Sequence, residues 1–438
     1  MHSSAAPTPA APAESSSAGS APARSPLRPL DEVRADLLSR VSALAELESV
    51  SLFDAHGRVL AEDLTSPLQV PPQDNSAMDG YAVRLADLAA ASGAELPISQ
   101  RIPAGAVAQP LQAGTVARIF TGASFPAGAD AVLMQEDAQA GGDGYVKFTT
   151  TPRAGQHIRR AGEDVQRGAV VLACGHRLNS AAQGMVASIG RATVSVTRRP
   201  RVALFSTGDE LVMPGSIAPE QMPLGAIYNS NRFFLRSLLQ RLGCEVTDLG
   251  VVPDRRDATV AALRDAALEH DLILTSGGVS VGEEDHVKPA VQALGTLDLW
   301  QLAIKPGKPF AYGRVRRGGA DASASEAHFI GLPGNPVSSF VTFLLLVRPF
   351  VLKLQGCRQL DWPSMPARAD FAWPKADKRR EFLRVRRNAQ GGLDLFANQS
   401  SGVLTSMVWG DGLVDNPPGT VIAPGDTVRY VPLAELMD

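Results

Sequence analysis

Apolar residues recur at Leu30, Val33, Leu37, Leu38, Val41 and Leu44, a single stripe at helical spacing. Residues 51–57 read as a strand running into a turn at Gly57. From Pro67 to about Arg160 the pattern changes. Short β-rich runs at 101–105, 116–120, 131–134 and 145–149 alternate with glycine and proline turns, and no long amphipathic helix intervenes. That stretch predicts a mainly β domain of barrel or sandwich type. From Arg201 the periods of two and 3.6 alternate. Strands are expected at 202–205, 245–252, 272–274, 300–304, 310–313 and 329–332. Helices are expected over 231–242, stopped by Gly243, over 258–268 and over 287–294. A longer helix starts at Pro336, with Asn335 in the capping position. Strands alternating with helices imply a mostly parallel sheet covered on both faces. Residues 314–327 are polar and glycine-rich and read as a mobile hairpin extension. Beyond Gly356, short turn-bounded runs at 382–385, 392–396, 402–408, 419–422 and 426–431 read as strands of a small β domain.

A chain of 438 residues exceeds one ordinary core, so two to four domains are expected. The composition, 45% hydrophobic and 20% charged, is globular. A net charge of -3 without a long basic run argues against a sequence-independent nucleic-acid binder. Cys174, Cys244 and Cys357 are far apart, and the seven histidines are scattered, so neither disulfides nor a structural zinc is expected. Free thiols fit a reduced, cytoplasmic setting. The longest apolar stretch, 337–354, is broken by serines, Thr342, Arg348, Pro349 and Lys353, so no membrane span is expected. Residues 1–26, rich in Ala, Ser and Pro, lack the pattern of a secretory signal and read as a disordered tail.

In an open parallel sheet, ligands sit where strands end in loops. Four such loops here carry chemistry. They are Ser206-Thr207-Gly208-Asp209-Glu210, then Thr275-Ser276-Gly277-Gly278 continuing to Ser280 and Asp285, then Lys305-Pro306-Gly307-Lys308-Pro309, and Pro333-Gly334-Asn335-Pro336. Glycines let backbone N–H groups approach an anion, and a following helix N-terminus favours negative charge. Thr207, Ser276 and Ser280 add hydroxyls, and Lys305 and Lys308 add cations. Asp209, Glu210 and Asp285 bring carboxylates into the same place, and carboxylates beside phosphates suggest a bridging Mg²⁺. Taken singly, a glycine pair after a strand is most often just a turn, the lysine loop reads as a solvated surface turn and Pro333-Gly334-Asn335-Pro336 as a helix start; their succession at strand ends argues for a phosphorylated ligand. A second group, around Asp79, Thr121 and 159–164, is compact and polar. By sequence physics alone Asp79 reads as a turn aspartate stabilising its own loop.

The motifs together resemble the molybdopterin molybdenumtransferase family, which includes MoeA and the gephyrin E domain. The matching residues are Asn75 to Ala82, Thr121-Gly122-Ala123, Gly162-Glu163-Asp164, Ser206 to Leu211, Ser276 to Gly282 with Asp285, Lys305 to Pro309 and Gly331 to Ser338, in the family's order. Ala161 stands where a basic residue is expected. The resemblance implies a multi-domain α/β plus β protein: a discontinuous linker and dimerisation part (27–66 and 161–198), an inserted β-rich domain (67–160), an α/β molybdopterin-binding domain (199–356) and a C-terminal β-barrel (357–438). It implies a homodimer in which one subunit's inserted domain faces the other's crevice. It also implies molybdenum insertion into adenylylated molybdopterin from molybdate, with Mg²⁺-dependent release of AMP. Asp79, Thr121, Asp164, Glu210 and Asp285 become the catalytic candidates, with Glu210 and Asp285 as the Mg²⁺ ligands the resemblance implies. Thr207, Ser276, Gly277, Gly278, Ser280, Lys305, Lys308, Pro333, Pro336, Arg384 and Ser401 become substrate-binding candidates. Partners would be small-molecule substrates and cofactor-pathway proteins such as a molybdopterin adenylyltransferase, with neither nucleic acid nor membrane. A tungstate-specific paralogue and a non-catalytic scaffold are the alternatives; a scaffold is expected to have lost loop acids or lysines, and these are present.

Overall fold

The computed structural model describes residue 2 and residues 26–278, 286–318 and 325–437. The expectation of a disordered tail therefore falls almost wholly outside the described residues, as do Ser280 and Asp285.

A seven-stranded sheet forms the centre. Its order is Leu27–Arg28, Gly295–Leu302, Pro309–Arg316, Glu326–Leu332, Leu272–Ser276, Arg201–Thr207 and Glu245–Val252. Neighbours are parallel except where Pro309–Arg316 runs antiparallel to both strands beside it. Strand side chains alternate between faces, and two cores result. Val202, Leu204, Leu274 and Ile330 pack against helices Leu30–Ser39 and Asn231–Arg241 and the long segment that begins at Pro336. Ala203, Phe205, Ile273 and Phe329 pack against helices Arg256–Glu269 and Val287–Leu294. Because both faces are covered, strand Leu272–Ser276 is buried throughout.

The long segment runs from Pro336 to Leu354, with a π-helical stretch at Phe343–Val347. By length and composition it could cross a membrane, yet 94% of its apolar window is buried inside the protein. Asn335 occupies the cap position without a side-chain capping bond, contrary to expectation.

The β-rich stretch folds as a six-stranded sheet in the order Ala131–Met134, Gly80–Val83, Val116–Ile119, Leu96–Ile102, Tyr145–Phe148 and Ala138–Ala140. It has two small cores of its own, around Ile119 and Val132 and around Val83 and Leu133. Only glycine fits at position 80, where a Cβ would lie 1.8 Å from the Leu133 carbonyl oxygen. The chain segments before and after this sheet pair with one another: Leu47–Ser51 with Thr193–Thr197, and Leu64–Thr65 with Val170–Leu172. Leu60, Val186 and Val196 fill the space between them.

At the C-terminus, Arg380–Arg387, Gly392–Leu395, Met365–Ala369, Thr427–Pro432 and Gly412–Asn416 close into a five-stranded barrel, since the last pairs back onto the first. One face of the barrel joins the central core: Phe382, Leu413, Val431 and Leu433 belong to the same apolar cluster as Leu204 and Phe350.

Several sequence expectations change. The strand expected at 51–57 is Leu47–Ser51, followed by a 3-10 turn at Leu52–Asp54. The run at 402–408 is not a strand; helix Thr405–Trp409 occupies it. The run at 419–422 contributes only a bridge between Ile422 and Trp373. The hairpin extension is shorter than 314–327, because its strands continue to Arg316 and resume at Glu326.

Candidate active site

The carboxyl ends of strands Arg201–Thr207, Leu272–Ser276 and Glu326–Leu332 open into a cavity of about 790 Å³. Its lining includes Thr207, Gly208, Glu210, Ser276, Gly277, Gly278, Pro333 and Pro336. Parallel register explains the convergence. Ser206 pairs with Ser276, and Ser276 with Leu332, so the three turns leave the sheet side by side.

Close backbone approach requires the two glycines. Gly277 and Gly278 both have positive φ, at 94° and 68°. A Cβ on Gly277 would lie 2.8 Å from the Thr207 carbonyl oxygen, and one on Gly278 would lie 2.4 Å from Val287 Cγ2. Asn231, at the start of helix Asn231–Arg241, fastens two of the loops together. Its Nδ2 donates to Ser276 Oγ at 2.7 Å and to the Gly334 carbonyl at 2.7 Å. Beside it, Asn229 is buried at the wall, where its Oδ1 accepts from the Arg232 N–H. Glu210 is exposed at the rim.

The lysine loop lies at the same sheet edge, where it joins strands Gly295–Leu302 and Pro309–Arg316, and Pro309 reaches the cavity lining. Lys305 is engaged by the barrel: its Nζ lies 3.0 Å from Glu381 Oε1 and 3.6 Å from Asp377 Oδ2. Lys308 is half-buried on the same loop. Neither lysine side chain is among the residues lining the cavity.

The barrel also touches the cavity. Gly402 lines it, and the neighbouring Ser401 carbonyl accepts the Val337 N–H at the start of the long helix, at 2.9 Å. Arg384 is fully buried under this loop and donates to Ser400 O, Phe382 O and Ser406 Oγ. Among the described residues it meets no carboxylate, and burial lowers its pKa to about 10. It supports the loop rather than facing the cavity.

Asp79 and Thr121 form a separate pair. The Thr121 N–H and hydroxyl both donate to Asp79 Oδ1 at 2.8 Å and hold this carboxyl below its ordinary range. Asp164 is exposed, its N–H bonded to the Val70 carbonyl. None of the three lines the cavity. Among the described residues no group of three or more His, Cys, Asp or Glu is placed to hold a metal.

Sequence reasoning missed Asn229, Asn231 and Glu381. Asn231 was visible as a helix start, but its partners lie 45 and 103 residues away along the chain. Glu381 carried no signal beyond being an acid within a strand. A second cavity of about 780 Å³ lies between Leu30 and the barrel, but its Arg380 is already engaged by Asp415 and Asp31.

Comparison with known proteins agrees with this layout. Residues 28–190 match the MoeA N-terminal region (domain I and II), 203–353 a probable molybdopterin binding domain, and 366–433 the MoeA C-terminal region (domain IV). The molybdopterin molybdenumtransferase of Haemophilus influenzae is 40% identical over 421 residues, covering 93% of this chain and 99% of that protein. Gephyrin of Dictyostelium discoideum is 33% identical over 75% of this chain and 50% of its own length. The crystal structure of the molybdopterin biosynthesis MoeA protein from Pyrococcus horikoshii OT3 superposes with a TM-score of 0.78 at 28% identity, covering 93% of this chain and 100% of that one. With sequence, domain order and fold in agreement, the chain belongs to the molybdopterin molybdenumtransferase family.

Proposed function

We propose that this enzyme of molybdenum cofactor biosynthesis binds adenylylated molybdopterin and molybdate in the strand-end cavity, transfers molybdenum to the dithiolene sulfurs and releases AMP. The observation that carries the reading is the cavity itself: about 790 Å³, floored by Ser276, Gly277 and Gly278 and flanked by two helix starts. Amide hydrogens, hydroxyls and helix N-termini suit a phosphoanhydride. The dithiolene supplies the sulfur ligands, so the absence of a cysteine from the lining is no obstacle.

Mg²⁺ keeps several waters and typically takes one or two carboxylates plus substrate phosphate oxygens. An exposed rim carboxylate, Glu210, fits that donor set, with Asp285 as its expected companion. Such an ion would neutralise charge on the phosphoanhydride. In the chain itself, Thr207, Ser276 and the Gly278 amide hold phosphate oxygens, while Lys305 and Lys308, on the loop beside the cavity lining, attract the oxyanion. In this reading a second copy of the chain brings Asp79, Thr121 and Asp164 to the crevice; light scattering should then report a dimer. Free thiols at all three cysteines fit a cytoplasmic setting.

The test incubates purified protein with adenylylated molybdopterin, Mg²⁺ and either molybdate or tungstate, and measures AMP and bound metal. AMP release that depends on oxyanion and is abolished by EDTA is the expected result. Release no faster than in a protein-free control overturns the reading, and a rate ordered by oxyanion assigns molybdate or tungstate.

A further inference from the structure

We infer that Glu381 is a positioning residue for Lys305: the barrel holds this ammonium in place at the sheet edge so that an incoming oxyanion meets a fixed charge. The inference rests on the functional reading above, in which Lys305 attracts the oxyanion.

Glu381 is 1% exposed. A carboxylate taken out of water is strongly disfavoured unless its oxygens are paired. Each oxygen here has one side-chain donor: Oε1 takes the Lys305 ammonium at 3.0 Å, and Oε2 takes the Trp373 indole N–H at 2.8 Å. Lys305 is the one cation within ion-pair distance of Glu381 among the described residues. Asp377 stands on the far side of the ammonium at 3.6 Å, but Arg379 already engages it at 2.9 Å. The Trp373 ring, 5.8 Å from the ammonium, completes the clamp.

The backbone reinforces the arrangement. Ile304–Lys305 leaves the central sheet and pairs with Arg380–Glu381 of the barrel, and the Arg380 N–H donates to Ala303 O at 2.9 Å. Lysine and glutamate are therefore adjacent register partners on two domains. The Lys305 side chain remains 38% exposed, so the pair is not sealed from solvent on the lysine side. A free lysine carries rotamer entropy that an anion would have to freeze; the clamp removes that cost from binding. A purely structural staple between barrel and sheet would show the same distances. What separates the two is whether oxyanion affinity follows Glu381.

Glu381→Gln keeps the shape and an acceptor for Trp373 while removing the charge. The experiment first confirms wild-type, molybdate-dependent AMP release; its absence sinks the functional reading, not this one. Given that activity, Glu381→Gln should raise the molybdate concentration at half-maximal rate about tenfold, with the rate at saturation changed less than twofold. Glu381→Asp should recover part of the loss. The Lys305→Met/Glu381→Gln double variant should be no worse than Lys305→Met alone, because contacting groups are non-additive. An unchanged molybdate dependence, or effects that multiply, overturns the inference. Should Glu381→Gln not fold, Trp373→Phe decides: it deletes the second bond to Glu381, and a shifted molybdate dependence supports the clamp while an unshifted one rejects it.

Discussion

Asn231 joins two loops that the chain brings together from 45 and 103 residues away. Asn231→Ala deletes both bonds. Each is worth about 0.5–1.5 kcal/mol net, so the local loss is about 1–3 kcal/mol. Asn231 is 7% exposed, so water does not replace the donors easily. Asn231→Asp should be worse than alanine, because a carboxylate oxygen would face the Gly334 carbonyl where a donor now stands. In a multi-domain chain a single melting midpoint blurs this, so hydrogen exchange is the better assay. Two amides report directly: Gly277 N–H, bonded to Leu332 O at 3.0 Å, and Val337 N–H, bonded to Ser401 O at 2.9 Å. A loss of about 1–3 kcal/mol corresponds to exchange roughly 5–150-fold faster. Both amides should accelerate in the alanine variant and more so in the aspartate variant, while the barrel's own amides do not. Unchanged protection at Gly277 and Val337 in both variants would refute the claim that Asn231 holds the loops together.

The remaining predictions concern other parts of the molecule. Gly278→Ala should abolish ligand binding with only a modest loss of global stability, because its Cβ would sit 2.4 Å from Val287 Cγ2 in a backbone conformation with positive φ; calorimetric titration of substrate checks it. Thr121→Val keeps the backbone N–H but removes the hydroxyl from Asp79, so the Asp79 carboxyl, now held low, should titrate higher by carbon NMR. Burial, with Arg314 adding to it, lowers His328 to about 4, against ~6.5 when unfolded. The unfolded chain therefore takes this proton first, and stability is full above pH ~6.5, falls between ~6.5 and ~4, and is flat below, an effect of about 3 kcal/mol. His328→Gln should flatten that window in urea titrations at pH 7 and pH 4.5.

Where local pattern decides structure, the sequence was readable. The short buried apolar runs at 202–205 and 272–274 and the stripe of the first helix appear in place, because propensity and burial agree there. The barrel was harder. The run at 402–408 is short and turn-bounded like the strands around it but folds as helix Thr405–Trp409, which packs on strand Arg380–Arg387 instead of joining a ladder. Gly412–Asn416 has every residue buried and so offers no alternation to read. At the site, the glycine turns were legible because each needs a rare backbone conformation. Lys305 was placed on the correct loop, but its pairing with Glu381 arises from contact between two folded domains, which no local pattern encodes. The same holds for Arg384, whose role under the 400–402 loop depends on tertiary packing.

The apolar cluster that runs unbroken from Leu204 to Val431 makes the barrel and the central sheet a single cooperative body. The six-stranded sheet, by contrast, keeps its hydrophobic residues to itself. Grafting that sheet from a relative onto this chain is thus a cassette exchange at two crossing points. Exchanging the barrel means redesigning its share of the common interior as well, Phe382, Met407, Leu413, Val431, Leu433 and Leu436 among it.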